Sequence, residues 1–92
     1  MKNIALNSLR KQIDCCDDLL VKLLSQRFDY VSQIQKFKKE LELPTLDDAR
    51  FERILKRVRK SSKEEGLDPN MIEGVFKEIH LYSSKKRDDN TL

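Results

Sequence analysis

A segment of about 35 residues, from Asn7 to Leu41, contains no proline or glycine and most constrains how this chain can fold. Its apolar residues recur every three or four positions, the spacing of one face of an α-helix. We call this face the α1 seam: Ile13, Leu20, Leu24, Val31 and Ile34. Such a helix would be roughly 50 Å long, whereas a compact chain of 92 residues has a radius of gyration of about 12 Å. Because two shorter helices cannot cover that length, we expect the seam to pair with a second copy in an intertwined homodimer.

Breakers and capping residues divide the remaining chain into two shorter helices. Asp47 or Asp48 suits the N-cap of a second helix, and either charge favours the positive end of the helix dipole. Gly66 suits the left-handed position after that helix. Asp68 followed by Pro69 is typical of a helix start, with aspartate as N-cap and proline in the first turn.

The third helix should run to about Lys86. It contains Gly74, which costs about 1 kcal/mol relative to alanine in a helix, so we expect close helix packing there. The chain is therefore predicted to be all-α, with three helices, a long first helix and a single domain over residues 1–87. Residues 88–92 are expected to form a frayed tail.

Charge and cysteine content exclude several functional classes. Nineteen Lys and Arg against sixteen Asp and Glu give a net charge of +3, lower than is usual for a dedicated nucleic-acid-binding domain. No apolar run approaches the roughly 20 residues that cross a bilayer. Cys15 and Cys16 are adjacent, which does not suit a disulfide framework or a zinc site. We expect a cytoplasmic protein that binds no metal, no nucleic acid and no membrane.

Three cations occupy positions of the α1 seam that the pattern would fill with aliphatic residues: Arg10, Arg27 and Lys38. A buried unpaired charge is costly, so these groups must meet carboxylates or a wet cavity. Arg27 and Lys38 would lie about 16 Å apart along the helix and about 20° apart around it. A small anion with two acidic groups could fill the gap between their side chains. Arg10 lies about 25 Å from Arg27, so only the copy from an antiparallel partner chain could join them.

Ordinary structural roles remain open for each polar group. Arg27 and Lys38 could turn out of the seam and pair with carboxylates of their own chain, namely Asp17, Asp29 or Glu42. A basic stripe on the second helix is typical of a solvated face, with RNA or DNA contact as the alternative: Arg53, Lys56, Arg57 and Lys60. A polar line on the third helix could be a surface face near the helix end: His80, Ser83 and Arg87.

The spacing of these residues resembles that of the all-helical AroQ-type chorismate mutases, over about residues 6–87. The matching positions are Leu9-Arg10-x-x-Ile13-Asp14-x-x-Asp17, Leu23-Leu24-x-x-Arg27, Lys38, Asp47-x-x-Arg50 and Gly66-Leu67-Asp68. The stretch Arg27-Phe28-Asp29-Tyr30-Val31 with Phe37-Lys38 looks like the isochorismate pyruvate lyase branch of the same family.

The resemblance implies an intertwined homodimer that acts on a small dicarboxylate, chorismate, without cofactor or metal. Arg27 and the partner subunit's Arg10 would hold the two carboxylates, and Lys38 would contact a carboxylate and the ether oxygen. Further contacts would come from Asp47 near the ring hydroxyl, Arg50 at the rim and Ser83 on the third helix.

Three departures from the family pattern affect the substrate. Phe51 stands where these mutases usually have a glutamate that binds the ring hydroxyl, and the lyase branch also has an apolar residue there. Arg87 replaces the usual glutamine or glutamate at the ether oxygen, and a guanidinium can still donate to that oxygen. His80 takes the place of an apolar wall. Because the resemblance places Lys38 and Arg87 at the ether oxygen, we predict these two residues as the catalytic groups.

The predicted function is the rearrangement of chorismate to prephenate, an isomerase reaction of aromatic amino acid biosynthesis. Two enzymatic alternatives stay open: an isochorismate pyruvate lyase that releases salicylate and pyruvate, and a mutase of an amino-substituted chorismate. The non-enzymatic alternative is a helical dimer that binds nucleic acid.

Overall fold

The computed structural model describes residues 2–44 and 48–90, and the side chains of residues 3–44 and 48–84. It contains three α-helices: α1 (Lys2–Glu40), α2 (Asp48–Glu64) and α3 (Pro69–Asn90). No strand occurs in these ranges, so the all-α prediction is confirmed. Helices α1 and α3 are both longer than predicted, and the additional residues at the start of α1 and the end of α3 include no proline or glycine that would interrupt a helix. Residues 91 and 92 of the expected frayed tail lie outside the described residues.

The end of α1 is a Schellman motif built without glycine. Glu42 adopts a left-handed conformation with φ of 56°, and its N–H donates to the Lys39 carbonyl at 3.2 Å. The Leu43 N–H donates to the Lys38 carbonyl at 2.8 Å. These are the two bonds that close such a motif, and a residue with a Cβ carries a conformational cost of about 1 kcal/mol in this region.

The turn between α2 and α3 follows the sequence rules closely. Gly66 has φ of 73°, and the Leu67 N–H donates to the Ser62 carbonyl at 2.7 Å. At the start of α3, the Asn70 N–H donates to Asp68 Oδ1 at 2.9 Å. The predicted roles of Gly66 as the residue after α2 and of Asp68 as N-cap are therefore confirmed.

The described packing between helices joins α2 to α3. Leu55 and Val58 on α2 form its buried core, at 6 % and 8 % exposure, and Ser62 is buried beside them. The Ser62 hydroxyl donates to the Val58 carbonyl at 2.6 Å, which satisfies this buried polar group within α2. Half-buried residues on the facing side of α3 complete the contact: Ile72, Phe76 and Ile79.

Polar side chains brace the same pair of helices near their connecting turn. Arg59 of α2 donates to Asn70 Oδ1 at 3.1 Å and lies 3.5 Å from Glu73 Oε2. Lys77 lies 4.0 Å from the same carboxylate oxygen. Partly exposed pairs of this kind contribute at most about 1 kcal/mol, so they orient the turn more than they stabilise it.

The prediction of close packing at Gly74 is wrong for the described chain. Gly74 is exposed, and a Cβ added there would meet no atom within 4 Å. The prediction inferred a tertiary contact from the cost of a glycine within a helix. Within the described residues, no such contact exists at Gly74.

The chain forms two compact units, Met1–Gln33 and Ile34–Leu92, and α1 contributes residues to both. The α1 seam is not buried in the single chain: Ile13 is 59 % exposed, Leu20 is 58 % exposed and Ile34 is 51 % exposed. Leu24 and Val31 are half-buried. Across the ranges that the structure describes, none of the helices combines the length and apolar character needed to cross a bilayer.

Candidate active site

The predicted cations of α1 differ in exposure. Arg10 is exposed and Arg27 is half-buried in the first unit, whereas Lys38 is half-buried in the second. Lys38 forms no ion pair or side-chain hydrogen bond with any described residue. The alternative in which Lys38 pairs with Asp17, Asp29 or Glu42 is therefore not realised in the part of the chain that the structure describes. Asp29 accepts a hydrogen bond from Gln33 Nε2 at 3.0 Å.

Phe51 and His80 meet between α2 and α3. Both are half-buried, and their rings stack with centroids 3.8 Å apart and planes inclined by 14°. Phe51 lies in the first turn of α2, one turn before the buried Leu55. His80 lies one turn after Phe76, on the side of α3 that faces α2. The structure thus places two predicted site residues in direct contact.

Arg50 and Ser83 lie next to this stack along their helices. Arg50 precedes Phe51 in the first turn of α2 and is exposed. Ser83 follows His80 by one turn on α3, is half-buried, and its hydroxyl donates to the Ile79 carbonyl at 3.0 Å. The Ser83 oxygen therefore keeps acceptor capacity but has committed its proton to α3.

Two further predicted residues cannot be located as side chains. Asp47 lies outside the described residues, and Arg87 belongs to α3 but its side chain is outside the described ones. Their roles stay predictions. In the described part of the chain, no group of three or more His, Cys, Asp or Glu residues is arranged to hold a metal ion.

The residues predicted to form a basic stripe on α2 are all exposed, as expected for a solvated face: Arg53, Lys56, Arg57 and Lys60. Sequence reasoning selected Phe51 and His80 separately but missed that their rings stack. The available signal was that both residues continue the inner faces of their helices, Phe51 four residues before Leu55 and His80 four residues after Phe76.

Together these features define a small all-α domain whose longest helix carries cations along an exposed apolar face. The family described as chorismate mutase type II matches residues 9–87. This match covers most of the chain, so the protein belongs to that family.

Several curated proteins are similar over much of the chain. A chorismate mutase from Methanocaldococcus jannaschii is 32 % identical over 71 residues, which cover 77 % of this chain and 72 % of that protein. A T-protein from Enterobacter agglomerans is 31 % identical over 84 residues, or 91 % of this chain. A T-protein from Haemophilus influenzae is 33 % identical over 73 residues, or 79 % of this chain.

The chain spans only about a fifth of each T-protein, 22 % and 19 % of their lengths. No solved structure gives a significant match to this chain.

Proposed function

We propose that this protein is a chorismate mutase, which converts chorismate to prephenate. Membership of the type II family over residues 9–87 and the likeness to a chorismate mutase from Methanocaldococcus jannaschii support this proposal. The structural observation that carries it is Lys38, a half-buried lysine on α1 without a carboxylate partner among the described residues. A cation in that state is suited to an anionic ligand.

The reaction requires few catalytic groups from the protein. Chorismate breaks a C–O bond to its enolpyruvyl group and forms a C–C bond within the same molecule, so atoms are only redistributed. No proton transfer, nucleophile or redox step is required. The protein must hold the compact conformer of the substrate and stabilise the negative charge that develops on the ether oxygen. Fixed cationic donors perform both tasks.

Each cation of α1 has a distinct role in this proposal. Arg27 and the partner subunit's Arg10 bind the two carboxylates, since a guanidinium can grip a carboxylate through two parallel hydrogen bonds. Lys38 contacts a carboxylate and the ether oxygen, and Arg87 supplies the second donor to that oxygen. Lys38 and Arg87 are therefore the proposed catalytic residues.

The remaining residues would surround the substrate ring. Asp47 and Arg50 would lie near the ring hydroxyl and the rim, with Phe51 and His80 as an adjoining wall. Ser83 would contribute an acceptor, because its hydroxyl proton is already donated to the Ile79 carbonyl.

We further propose that the active form is a homodimer, because the single chain leaves so much apolar surface uncovered. Six apolar residues on and beside the α1 seam are between 51 % and 65 % exposed: Ile13, Leu20, Leu23, Ile34, Phe37 and Leu41. Burying each of them would contribute roughly 1.5–3 kcal/mol at most. A second copy would cover this face and would bring its own Arg10 to the site. Cys15 and Cys16 are free thiols, which suits the cytoplasm that we propose as the location.

The activity is tested by supplying chorismate and isochorismate separately to the purified protein. We expect loss of chorismate absorbance with formation of prephenate. Absence of chorismate turnover, or more efficient release of pyruvate and salicylate from isochorismate, would contradict the proposed function.

The shared site is tested by mixing two inactive variants, Arg10→Ala and Arg27→Ala. Each variant alone has a defect in both sites of its dimer. After mixing and subunit exchange, half of the dimers are mixed and each contains one intact site, so about a quarter of the wild-type rate should return. Lys11→Ala, an exposed neighbour of Arg10, is the control and should keep full activity. No recovery after demonstrated exchange would exclude a site that uses Arg10 from the partner chain.

A further inference from the structure

The basic stripe on α2 is a strongly charged surface that the proposed mutase site does not use. Seven Lys and Arg against three Asp and Glu give α2 a net charge of +4 within 17 residues, whereas the whole chain has a net charge of +3. The expectation that this chain binds no nucleic acid was based on the charge of the whole chain. That value conceals a local excess of positive charge on one helix.

The stripe lies on the side of α2 opposite its buried core. At about 100° per residue, the centre of the stripe is about 180° around the helix from Leu55 and Val58, the core residues of the α2–α3 contact. All four stripe side chains are exposed: Arg53, Lys56, Arg57 and Lys60. None of them forms an ion pair or a side-chain hydrogen bond with a residue that the structure describes. The outer surface of α2 therefore presents a row of cations that the described chain does not neutralise.

The carboxylates nearest to the stripe in sequence also leave it unpaired. Glu52 precedes Lys56 by four residues, and Glu64 follows Lys60 by four residues, a spacing at which ion pairs stabilise a helix. Neither of these pairs forms in the described part of α2. The stripe is thus available to an external anion.

The composition of this surface favours phosphate groups over a protein partner. From residue 53 to residue 60, every exposed side chain is cationic, and the apolar side chains are half-buried or buried: Ile54, Leu55 and Val58. Protein interfaces derive most of their affinity from a few anchors, mainly aromatic residues and arginine, in a core that is poor in charge. Nucleic-acid interfaces are much more positively charged, and lysine and arginine contacts to phosphates supply their non-specific affinity.

The shape of the surface distinguishes between kinds of nucleic acid. An α-helix with its side chains is about 10–12 Å wide, and the major groove of B-DNA is about 12 Å wide and admits a helix. The major groove of double-stranded RNA is too narrow for side chains to enter. Single strands are held by aromatic side chains on which the bases stack, and the four stripe residues are all cationic. Duplex DNA therefore fits this surface best.

We propose that the basic stripe of α2 binds the phosphate backbone of duplex DNA without regard to base sequence. Each cation that neutralises a phosphate releases a counterion, so four contacts give a slope of about −3.6 in a plot of log association constant against log salt concentration. Non-specific binding of this kind has a Kd of about 10⁻⁴–10⁻⁶ M at physiological salt. This proposal goes beyond the mutase function, because no stripe residue belongs to the proposed active site.

The test is fluorescence anisotropy of a labelled DNA duplex of about 20 base pairs, titrated with the full chain at about 50 mM and 150 mM NaCl. For the wild type, we expect an affinity about 50-fold higher at the lower salt concentration. A variant that carries Arg53→Gln, Lys56→Gln, Arg57→Gln and Lys60→Gln together should lose most of its binding at the lower salt concentration. The same variant should keep the wild-type rate of chorismate turnover.

A matched control removes the same charge from another surface. Glutamine replaces four exposed lysines of α1 in this control: Lys11, Lys22, Lys36 and Lys39. Both variants lower the net charge by the same amount, and glutamine and lysine have similar helix propensities. The control should keep its affinity within about threefold of the wild type. An equal loss in both variants would show that overall charge, not the stripe, attracts DNA, and would overturn the proposal.

A double variant, Arg53→Gln with Arg57→Gln, gives a second measurement. It should bring the salt slope closer to zero by about 1.8, because two phosphate contacts are lost. Circular dichroism checks that both variants are folded, and the double variant decides the result if the fourfold variant is not.

Three results would overturn the proposal. These are no binding to the duplex at about 50 mM NaCl, an unchanged salt slope in the folded double variant, and tighter binding to another polyanion than to the duplex. The other polyanions to compare are single-stranded DNA, double-stranded RNA and phosphatidylserine vesicles. A protein that binds the duplex through the stripe but does not convert chorismate would support this proposal and reject only the mutase function.

Discussion

Replacing Lys38 by methionine should abolish most of the activity without unfolding the protein. Methionine keeps the unbranched stem of lysine and has a similar helix propensity. The backbone carbonyl of residue 38 still accepts the Leu43 N–H that closes the end of α1. Because Lys38 forms no ion pair with a described residue, we expect the free energy of unfolding to change by no more than about 0.5 kcal/mol.

The expected kinetic loss follows from the role of a fixed donor at a developing negative charge. Removing one such donor typically lowers kcat by about 10²–10³, which corresponds to roughly 3–4 kcal/mol of transition-state stabilisation. A lysine that only formed an exposed ion pair would contribute about 1 kcal/mol or less to folding stability, and its replacement would leave kcat nearly unchanged. The two roles therefore predict kinetic losses that differ by more than tenfold.

The measurement combines initial rates of chorismate consumption with circular dichroism and urea unfolding of the same samples. Lys39→Met is the matched control, because Lys39 is the next residue of α1 and is exposed; it should keep the wild-type kcat. A loss below tenfold in a folded Lys38→Met protein, or an equal loss in both variants, would refute the proposed role of Lys38.

Four further substitutions test the helix ends and α3. For each variant, urea unfolding measures the free energy of unfolding. Glu42→Gly should raise the free energy of unfolding by about 1 kcal/mol, because glycine adopts φ of 56° without the Cβ penalty; an unchanged value would contradict the left-handed conformation. Gly66→Ala should lower it by about 1 kcal/mol for the same reason with the opposite sign, although a Cβ there has open space. Asp68→Ala should lower it by about 1 kcal/mol because Asn70 loses its N-cap acceptor, and Asp68→Asn should recover most of that loss. Gly74→Ala should raise it by about 1 kcal/mol through helix propensity, and a decrease together with weaker dimerisation would reveal packing against a second copy.

Helix number and approximate limits could be predicted from the sequence because they depend on local rules. Gly66 and the Asp68–Pro69 pair carry conformational preferences that act wherever they occur, and the structure places them at the predicted ends of α2 and α3. The conformation at the end of α1 could not be predicted in the same way, because a glutamate such as Glu42 gives no local signal for a left-handed residue. Its conformation follows from where the helix stops, not from its side chain.

The candidate site likewise has features that the sequence predicts and features that only the tertiary structure shows. The seam positions of Arg27 and Lys38 could be read from a 3.6-residue period, because that period belongs to one helix. The pairing of Phe51 with His80 could not, because it depends on how α2 and α3 pack, and that packing is set by Leu55 and Val58 many residues away from His80 in the chain.

By itself, the amino-acid sequence determined that this chain is helical, where its short helices begin and end, and which cations interrupt an apolar face. These properties arise from backbone preferences and spacing within single segments. Only the tertiary structure decided that Phe51 covers His80, that Lys38 lies half-buried without a described carboxylate partner, and that Gly74 meets open space. The physical reason is that contacts between segments depend on packing free energy summed over both partners, which no single stretch of sequence contains.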